Sequence, residues 1–259
     1  MGMGARSRHQ PAQSASQVLA ALGVCILPNR SHLLPEDSVR QIISEPPSAY
    51  SPIFNGEQDE SGLRLQLRRA KWAVPFEAEL ADELDASGLL AHDPEGPYAD
   101  RPKRVCDAYV LRSEPGCPKQ PAHADVTRAH MHYGMRSERH RRLGEHTGAP
   151  LRAGDAPASA LLVLEAGTSL WIYPGGCSEE EEGEGIELHL HSGDLVVWRG
   201  DVVHAGSAYA ALNLRMHAYI DSLAWRRDHN HTSQCGDEYE AGRGFVVAPD
   251  LRARMAERL

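Results

Sequence analysis

The chain contains 259 residues, with 27 Lys and Arg against 36 Asp and Glu, so its formal net charge is −9. This length is enough for one domain with a continuous core. The acidic balance argues against a protein that coats nucleic acid, which needs a broad positive surface. The five cysteines include no C-x-x-C pair, which favours reduced thiols inside the cell over a disulfide framework or a zinc cluster. No apolar run approaches the ~20 residues that cross a bilayer.

The N-terminal part is basic and lacks acidic residues, because the first acid is Glu36. This composition fits either a disordered tail over residues 1–16 or an organelle transit peptide. We therefore expect an intracellular protein, either cytoplasmic or organellar. Farther along, helical periodicity predicts helices over Ser16–Gly23, Glu36–Ser44 and Phe76–Leu90.

From Val105 onward the chain consists of short β-type runs separated by turns. The predicted strands are Val105–Leu111, Ala160–Leu164, Ser169–Tyr173, Ile186–His191, Leu195–Trp198 and Leu212–Ile220. The turn at Glu165–Thr168 favours a hairpin between the second and third of them. Such strands, with almost no helix between them, predict a mainly β fold with flanking helices (α+β), an antiparallel jelly roll or barrel. The predicted division is a disordered tail (1–16), a helical support segment (17–104), a β core (105–222) and a C-terminal extension (223–259).

A His-x-Asp motif stands at His123-Ala-Asp125. Side chains two residues apart on an extended chain point to the same side, so an imidazole and a carboxylate can reach one ion. A second histidine, His204, ends the segment Gly193–His204, which reads as two strands joined by a Gly-containing turn. Each feature alone is better explained by ordinary structure, and only their combination indicates a metal site.

Arg215 lies on the strand Leu212–Ile220, whose residues alternate between apolar and polar. The apolar face can pack under the upstream helices, which leaves the polar face lining the barrel interior. A buried Arg is costly unless an anion pairs with it, and no acidic residue lies on that face. A bound carboxylate is therefore a natural partner. Arg215 follows His204 by 11 residues, and we expect the strands that carry them to be neighbours.

Together these residues supply two imidazoles and one carboxylate, the facial triad of non-haem iron oxygenases. In His123-Ala-Asp125, His204 and Arg215 the chain resembles the Fe(II)/2-oxoglutarate-dependent dioxygenase superfamily, of the phytanoyl-CoA dioxygenase and prolyl hydroxylase type. The resemblance covers about residues 105–222 and implies a double-stranded β-helix (cupin-like jelly roll) core. One departure is His217, which stands where many members have a Ser or Thr that binds the same carboxylate as the Arg.

The resemblance implies a role for each of these side chains. His123, Asp125 and His204 would be the catalytic metal ligands that hold Fe(II). Arg215 would bind the distal carboxylate of 2-oxoglutarate through a bidentate pair. O2 is the third reactant, and ascorbate is a further candidate cofactor. Two further candidates for contact with 2-oxoglutarate are Tyr109 and Asn213, whereas Trp171 and Trp198 are interpreted as core packing.

The expected reaction follows from Asp125, because halogenating relatives carry a small residue there. With a carboxylate in place, hydroxylation or oxidative demethylation of a small-molecule or protein substrate is expected, with decarboxylation of 2-oxoglutarate to succinate. Residues 126–156 form a long insert rich in arginine: Arg128, Arg136, Arg139, Arg141, Arg142 and Arg152. We hypothesise that this insert closes over the site and binds an anionic group of the substrate, although a solvated loop explains it equally well.

Three other functions remain open from the sequence. One is a non-catalytic cupin-like module that binds or senses a metal or ligand, and another is a metal-dependent isomerase on the same barrel. The third is an oxygenase that modifies nucleic acid. The aromatic content of 6% and the acidic charge disfavour the third.

Overall fold

The computed structural model describes residues 14–53, 61–90, 103–126, 157–173, 185–222 and 233–234. Its helices are α1 (Ala15–Leu22), α2 (Glu36–Ser44) and α3 (Ala70–Ala86). Its strands are β1 (Val24–Leu27), β2 (Ser51–Pro52), β3 (Arg64–Leu67), β4 (Lys103–Ser113), β5 (His123–Ala124), β6 (Ala158–Val163), β7 (Thr168–Tyr173), β8 (Ile186–Leu190), β9 (Leu195–Arg199), β10 (Val203–Gly206), β11 (Asn213–Ser222) and β12 (Ser233–Gln234).

Two antiparallel sheets form the body of the fold. The larger sheet has the strand order β1-β9-β6-β11-β4-β3-β2, and the smaller has the order β12-β5-β10-β7-β8. Neighbouring strands are rarely consecutive in the chain, because the polypeptide passes repeatedly between the two sheets. This arrangement confirms the predicted mainly β jelly-roll class.

All three predicted helices are present, and local sequence explains where two of them begin. Ser14 caps α1 with a reciprocal capping box, since its hydroxyl accepts from the Gln17 amide and the Gln17 side chain accepts from the Ser14 amide. The first turn of α2 carries two acids, which favour the positive end of the helix dipole. The third helix begins at Ala70 rather than Phe76, so Pro75 lies within its second turn and does not mark its start. None of the helices in the described ranges is both long and apolar enough to span a bilayer.

The apolar face of β11 lies in the buried core on the side of the larger sheet that α3 covers, as its alternation predicts. Leu214 and Met216 are fully buried in one cluster with Phe76, Leu80 and Leu84 of the helix. The opposite face of β11 is therefore turned toward the smaller sheet. This orientation decides which side chains of the strand line the space between the sheets.

The structure differs from the sequence predictions in how strands are assigned to sheets. Strands β6 and β7 are consecutive but lie in different sheets, so the predicted hairpin around Glu165–Thr168 is wrong: that turn carries the chain across the fold. Likewise β10 and β11 are not neighbours in one sheet, and His204 and Arg215 instead line one cavity from different sheets. The segment 17–104 contributes strands β1, β2 and β3 to the larger sheet as well as helices.

Candidate metal centre

The two histidines of the predicted triad meet across a pair of neighbouring strands. His123 on β5 is the register partner of His204 on β10, and their ring centroids are 4.5 Å apart. Asp125 follows β5 directly, and its Oδ1 lies 3.9 Å from Nε2 of His204. One ligand atom from each of the three residues lies within 4.8 Å of the others, a spacing that one metal ion can bridge. Within the described ranges, no other group of His, Cys, Asp or Glu side chains meets this spacing.

The backbone determines which nitrogen of each imidazole faces the site. Nδ1 of His123 lies 2.9 Å from the carbonyl oxygen of Pro121, and Nδ1 of His204 lies 2.9 Å from that of Val202. A carbonyl oxygen only accepts hydrogen bonds, so Nδ1 must carry the proton in both rings. The lone pair is then on Nε2, which is the atom a metal would bind.

The protonation state of His123 also suits a metal ligand. Burial, together with the neighbouring His204, lowers the pKa of His123 to about 4, although Asp125 and the Pro121 carbonyl oppose this shift. The imidazole is therefore neutral at neutral pH and can bind a cation without first losing a proton.

Two side chains of the larger sheet hold the carboxylate of Asp125. The hydroxyl of Ser159 donates to Oδ2 at 2.5 Å, and Nε1 of Trp198 donates to the same oxygen at 3.1 Å. Both residues are buried. Sequence reasoning missed this role and interpreted Trp198 as packing alone. A serine inside an otherwise apolar strand was the available signal, but its partner lies on the other sheet.

Arg215 is buried in the same interior, 5% exposed. One of its terminal nitrogens donates to the hydroxyl of Ser113 at 2.7 Å, and its guanidinium lies 4.7 Å from the ring centroid of Tyr209. Its Nε has no hydrogen-bond partner, and no carboxylate of the described residues lies within ion-pair distance of it. A buried guanidinium with an unused donor fits an anion that enters from outside the chain.

One cavity of about 470 Å³ joins these groups. Its wall contains His123, Asp125, His204 and Arg215, so a molecule that binds in it can contact both the triad and the guanidinium. This volume suits a small molecule or part of a larger one.

Of the two remaining predicted site residues, one lines the cavity and the other does not. Tyr109 lines the cavity, where its hydroxyl lies 3.2 Å from that of Tyr219 and its ring lies 4.9 Å from His217. Asn213 does not line the cavity: it is buried, and its side-chain amide exchanges hydrogen bonds with Thr168. The insert at 126–156 lies outside the described residues except for Val126, so its role stays a prediction.

Comparison with known proteins supports the fold rather than a specific activity. No known protein family and no curated protein matches the sequence. A prolyl hydroxylase from Trichoplax adhaerens, solved in complex with a hypoxia inducible factor oxygen degradation domain peptide fragment, is 12% identical with a TM-score of 0.52, covering 80% of this chain and 87% of that chain. A prolyl-4-hydroxylase from Pseudomonas putida is 15% identical with a TM-score of 0.51, covering 80% of this chain and 96% of that chain. The chain therefore has the jelly-roll fold of the prolyl hydroxylases, which agrees with the superfamily that its motifs resemble.

Proposed function

We propose that the protein is an Fe(II)- and 2-oxoglutarate-dependent dioxygenase. The observation that carries the proposal is the content of one cavity: two imidazoles and a carboxylate whose ligand atoms lie within 4.8 Å of one another, and a buried guanidinium with an unsatisfied donor. A binding module for a metal alone would need the first of these and has no use for the second. The jelly-roll fold shared with prolyl hydroxylases supports the same assignment.

His123, Asp125 and His204 would hold the iron. Two neutral imidazoles and one carboxylate are the donor set of the non-haem iron facial triad, which leaves adjacent positions open for other ligands. When bound, the iron would supply the redox chemistry by which 2-oxoglutarate and O2 give succinate, CO2 and an oxidised substrate. The protein's own contribution is to hold the three ligand atoms ready in a buried site.

Arg215 would bind the distal carboxylate of 2-oxoglutarate. The hydroxyl of Ser113 and the ring of Tyr209 hold the guanidinium in place, and its Nε is left to donate to an anion. Ser113 also places a hydroxyl beside the guanidinium, although His217 stands where relatives have a Ser or Thr. Tyr109, on the cavity wall, remains a candidate for contact with the co-substrate or the substrate.

Hydroxylation or oxidative demethylation of a small-molecule or protein substrate is the reaction that we propose. Asp125 occupies the third ligand position with a carboxylate, which leaves no vacancy for a halide. A neighbour in fold, the Trichoplax adhaerens enzyme, was solved with a peptide fragment, which supports a polypeptide as one candidate class of substrate. An anionic substrate group remains our hypothesis for the arginine-rich insert, with ascorbate as a candidate reductant.

The test is succinate formation by the purified protein. We expect turnover of 2-oxoglutarate that requires Fe(II), 2-oxoglutarate and O2 together and that stops when a chelator is added. Without oxygen, addition of 2-oxoglutarate to the Fe(II) protein should produce a visible charge-transfer band. A protein that binds iron but shows neither the band nor succinate would be a metal-binding or sensing module, and the proposal would be wrong.

A further inference from the structure

We propose that Trp198 and Ser159 are positioning residues that select which oxygen of Asp125 faces the metal, and thereby make the site favour oxygen-preferring cations. The inference rests on the metal site of the proposed function. It concerns two residues that carry no ligand atom, and the type of one of them, Trp198, suggests only packing. Their effect would pass mainly through the Asp125 carboxylate, to which both side chains donate.

The two oxygens of Asp125 have different surroundings. Oδ2 accepts both hydrogen bonds, at 2.5 Å from Ser159 and 3.1 Å from Trp198. Oδ1 is the oxygen that lies 3.9 Å from Nε2 of His204. Because two donors occupy Oδ2, rotation of the carboxylate would break both bonds in a buried site, where unpaired donors are costly. Oδ1 is therefore the oxygen presented to an ion.

The donors come from the opposite side of the fold from the ligands. Ser159 on β6 and Trp198 on β9 are register partners in the larger sheet, whereas β5 and β10, which carry or adjoin the ligands, belong to the smaller sheet. Ser159 is 0% exposed and Trp198 is 2% exposed, so both donors are fixed by their surroundings. The smaller sheet thus supplies the ligand atoms, and the larger sheet determines the orientation of the carboxylate.

Trp198 contacts a second ligand as well. The centroid of its ring lies 5.0 Å from that of His204, at an angle of 56° between the planes. One indole therefore packs against an imidazole and also donates to the carboxylate through its Nε1. A phenylalanine at this position would keep part of the aromatic packing and remove the donor, whereas Ser159→Ala removes a donor with almost no loss of volume.

A carboxylate restricted to one oxygen has a chemical consequence. Coordination through a single oxygen would use one position on the ion. The other positions would stay available for the two imidazoles, the co-substrate and O2. Carboxylates matter most for cations such as Mn²⁺ that prefer oxygen, whereas Ni²⁺ binds well through imidazole. Loss of the orientation should therefore weaken Mn²⁺ binding more than Ni²⁺ binding.

The experiment measures the dissociation constants of Mn²⁺ and Ni²⁺ by calorimetry, with the full-length protein and without any assay of activity. The variants are Trp198→Phe and Ser159→Ala, and the matched control is Trp72→Phe, which removes an indole that is also 2% exposed but lies on α3. Each variant of the pair should raise the Kd for Mn²⁺ by about 10- to 100-fold, as other outer contacts to metal ligands do. The Kd for Ni²⁺ should rise by less than about threefold, and the control should change neither.

The outcomes separate this inference from the proposed function. If both variants fold and the Mn²⁺ and Ni²⁺ constants change by equal factors or not at all, the positioning role is wrong. If the wild-type protein binds neither ion, the inference and the proposed metal site are both wrong. If metal binding behaves as expected but 2-oxoglutarate is not consumed, the positioning role stands and the oxygenase assignment does not. Should Trp198→Phe fail to fold, Ser159→Ala decides the question, because it removes only one oxygen atom.

Discussion

The two ends of the cavity differ in how completely the protein satisfies their polar groups. At the triad end, backbone carbonyls hold His123 and His204, and two donors hold Asp125. At the other end, Arg215 has one hydroxyl partner and keeps an unused donor. The side chains of the triad are therefore held in place before any ion binds. The guanidinium instead keeps an unsatisfied donor, which a ligand could use. A preassembled site suits a resident metal, and an incomplete one suits a co-substrate that must bind and leave at each turnover.

The largest effect should come from the triad. We expect His204→Ala to abolish metal binding at working concentrations and to lower succinate formation more than about 100-fold, because loss of a ligand exceeds the effect of an outer contact. The matched control is His191→Ala, which removes an imidazole that is 89% exposed directly after β8 of the same sheet. Substantial turnover by the His204 variant at normal iron concentrations would contradict the triad.

The opposite end should respond differently. Arg215→Gln is expected to raise the 2-oxoglutarate concentration needed for half-maximal turnover by about two to three orders of magnitude, since loss of a buried ionic partner costs about 3–5 kcal/mol. Its Kd for metal, measured by calorimetry, should stay near the wild-type value. Arg215→Lys keeps the charge but loses the fork geometry, so its 2-oxoglutarate requirement should lie between those of the wild-type protein and Arg215→Gln. A large fall in metal affinity would show that the two ends do not act independently.

Acid should weaken the triad end of the metal-free protein. The pKa of His123 is lowered from 6.5 to about 4 in the folded state, so the unfolded chain takes up the proton first as the pH falls. Stability from this residue is present above pH 6.5 and is lost between there and about pH 4, on the order of 2–3 kcal/mol. Urea unfolding at several pH values across this range measures the free energy of unfolding. Its decrease with falling pH should be shallower for His123→Gln than for the wild-type protein. Equal slopes for the two proteins would contradict the buried neutral imidazole.

The smallest expected effect is a shift in melting temperature on glutarate binding, and it tests the Arg215 end of the cavity separately from the triad end. Glutarate is a five-carbon diacid without the keto oxygen, so it should bind at Arg215 without needing the metal. At ten times its Kd it should raise the melting temperature of the metal-free protein by about 3–5 °C. The rise should vanish in Arg215→Gln and persist in His204→Ala. Persistence in the Arg215 variant would place the anion site elsewhere.

Several site residues could be found from the sequence because their signals are local. His123 and Asp125 are two residues apart on an extended segment, and this spacing alone puts their side chains on the same side. The alternation along β11 separated the face that packs under α3 from the face that carries Arg215, and the structure confirms that division. Tyr109 and Asn213 were both candidates for contact with 2-oxoglutarate, but only Tyr109 lies on the cavity wall, whereas the amide of Asn213 is bonded to the hydroxyl of Thr168.

The sheet assignments could not be found in this way. A turn of a few residues after β6 reads equally well as a hairpin and as a crossing between sheets, because both need the same turn chemistry. Trp198 posed a related difficulty: an indole in an apolar strand looks like core, and its donor role depends on a carboxylate 73 residues away in the chain.

By itself, the sequence determined the class of the fold and predicted a set of metal ligands and Arg215 as the partner of an anion, because periodicity and residue chemistry are properties of short segments. Only the tertiary structure decided that β5 and β10 bring the histidines together, that Ser159 and Trp198 orient the carboxylate, and that Arg215 keeps an unused donor. These contacts form when two sheets close on each other, and the energy of a buried polar group depends on which partners that closure brings within reach.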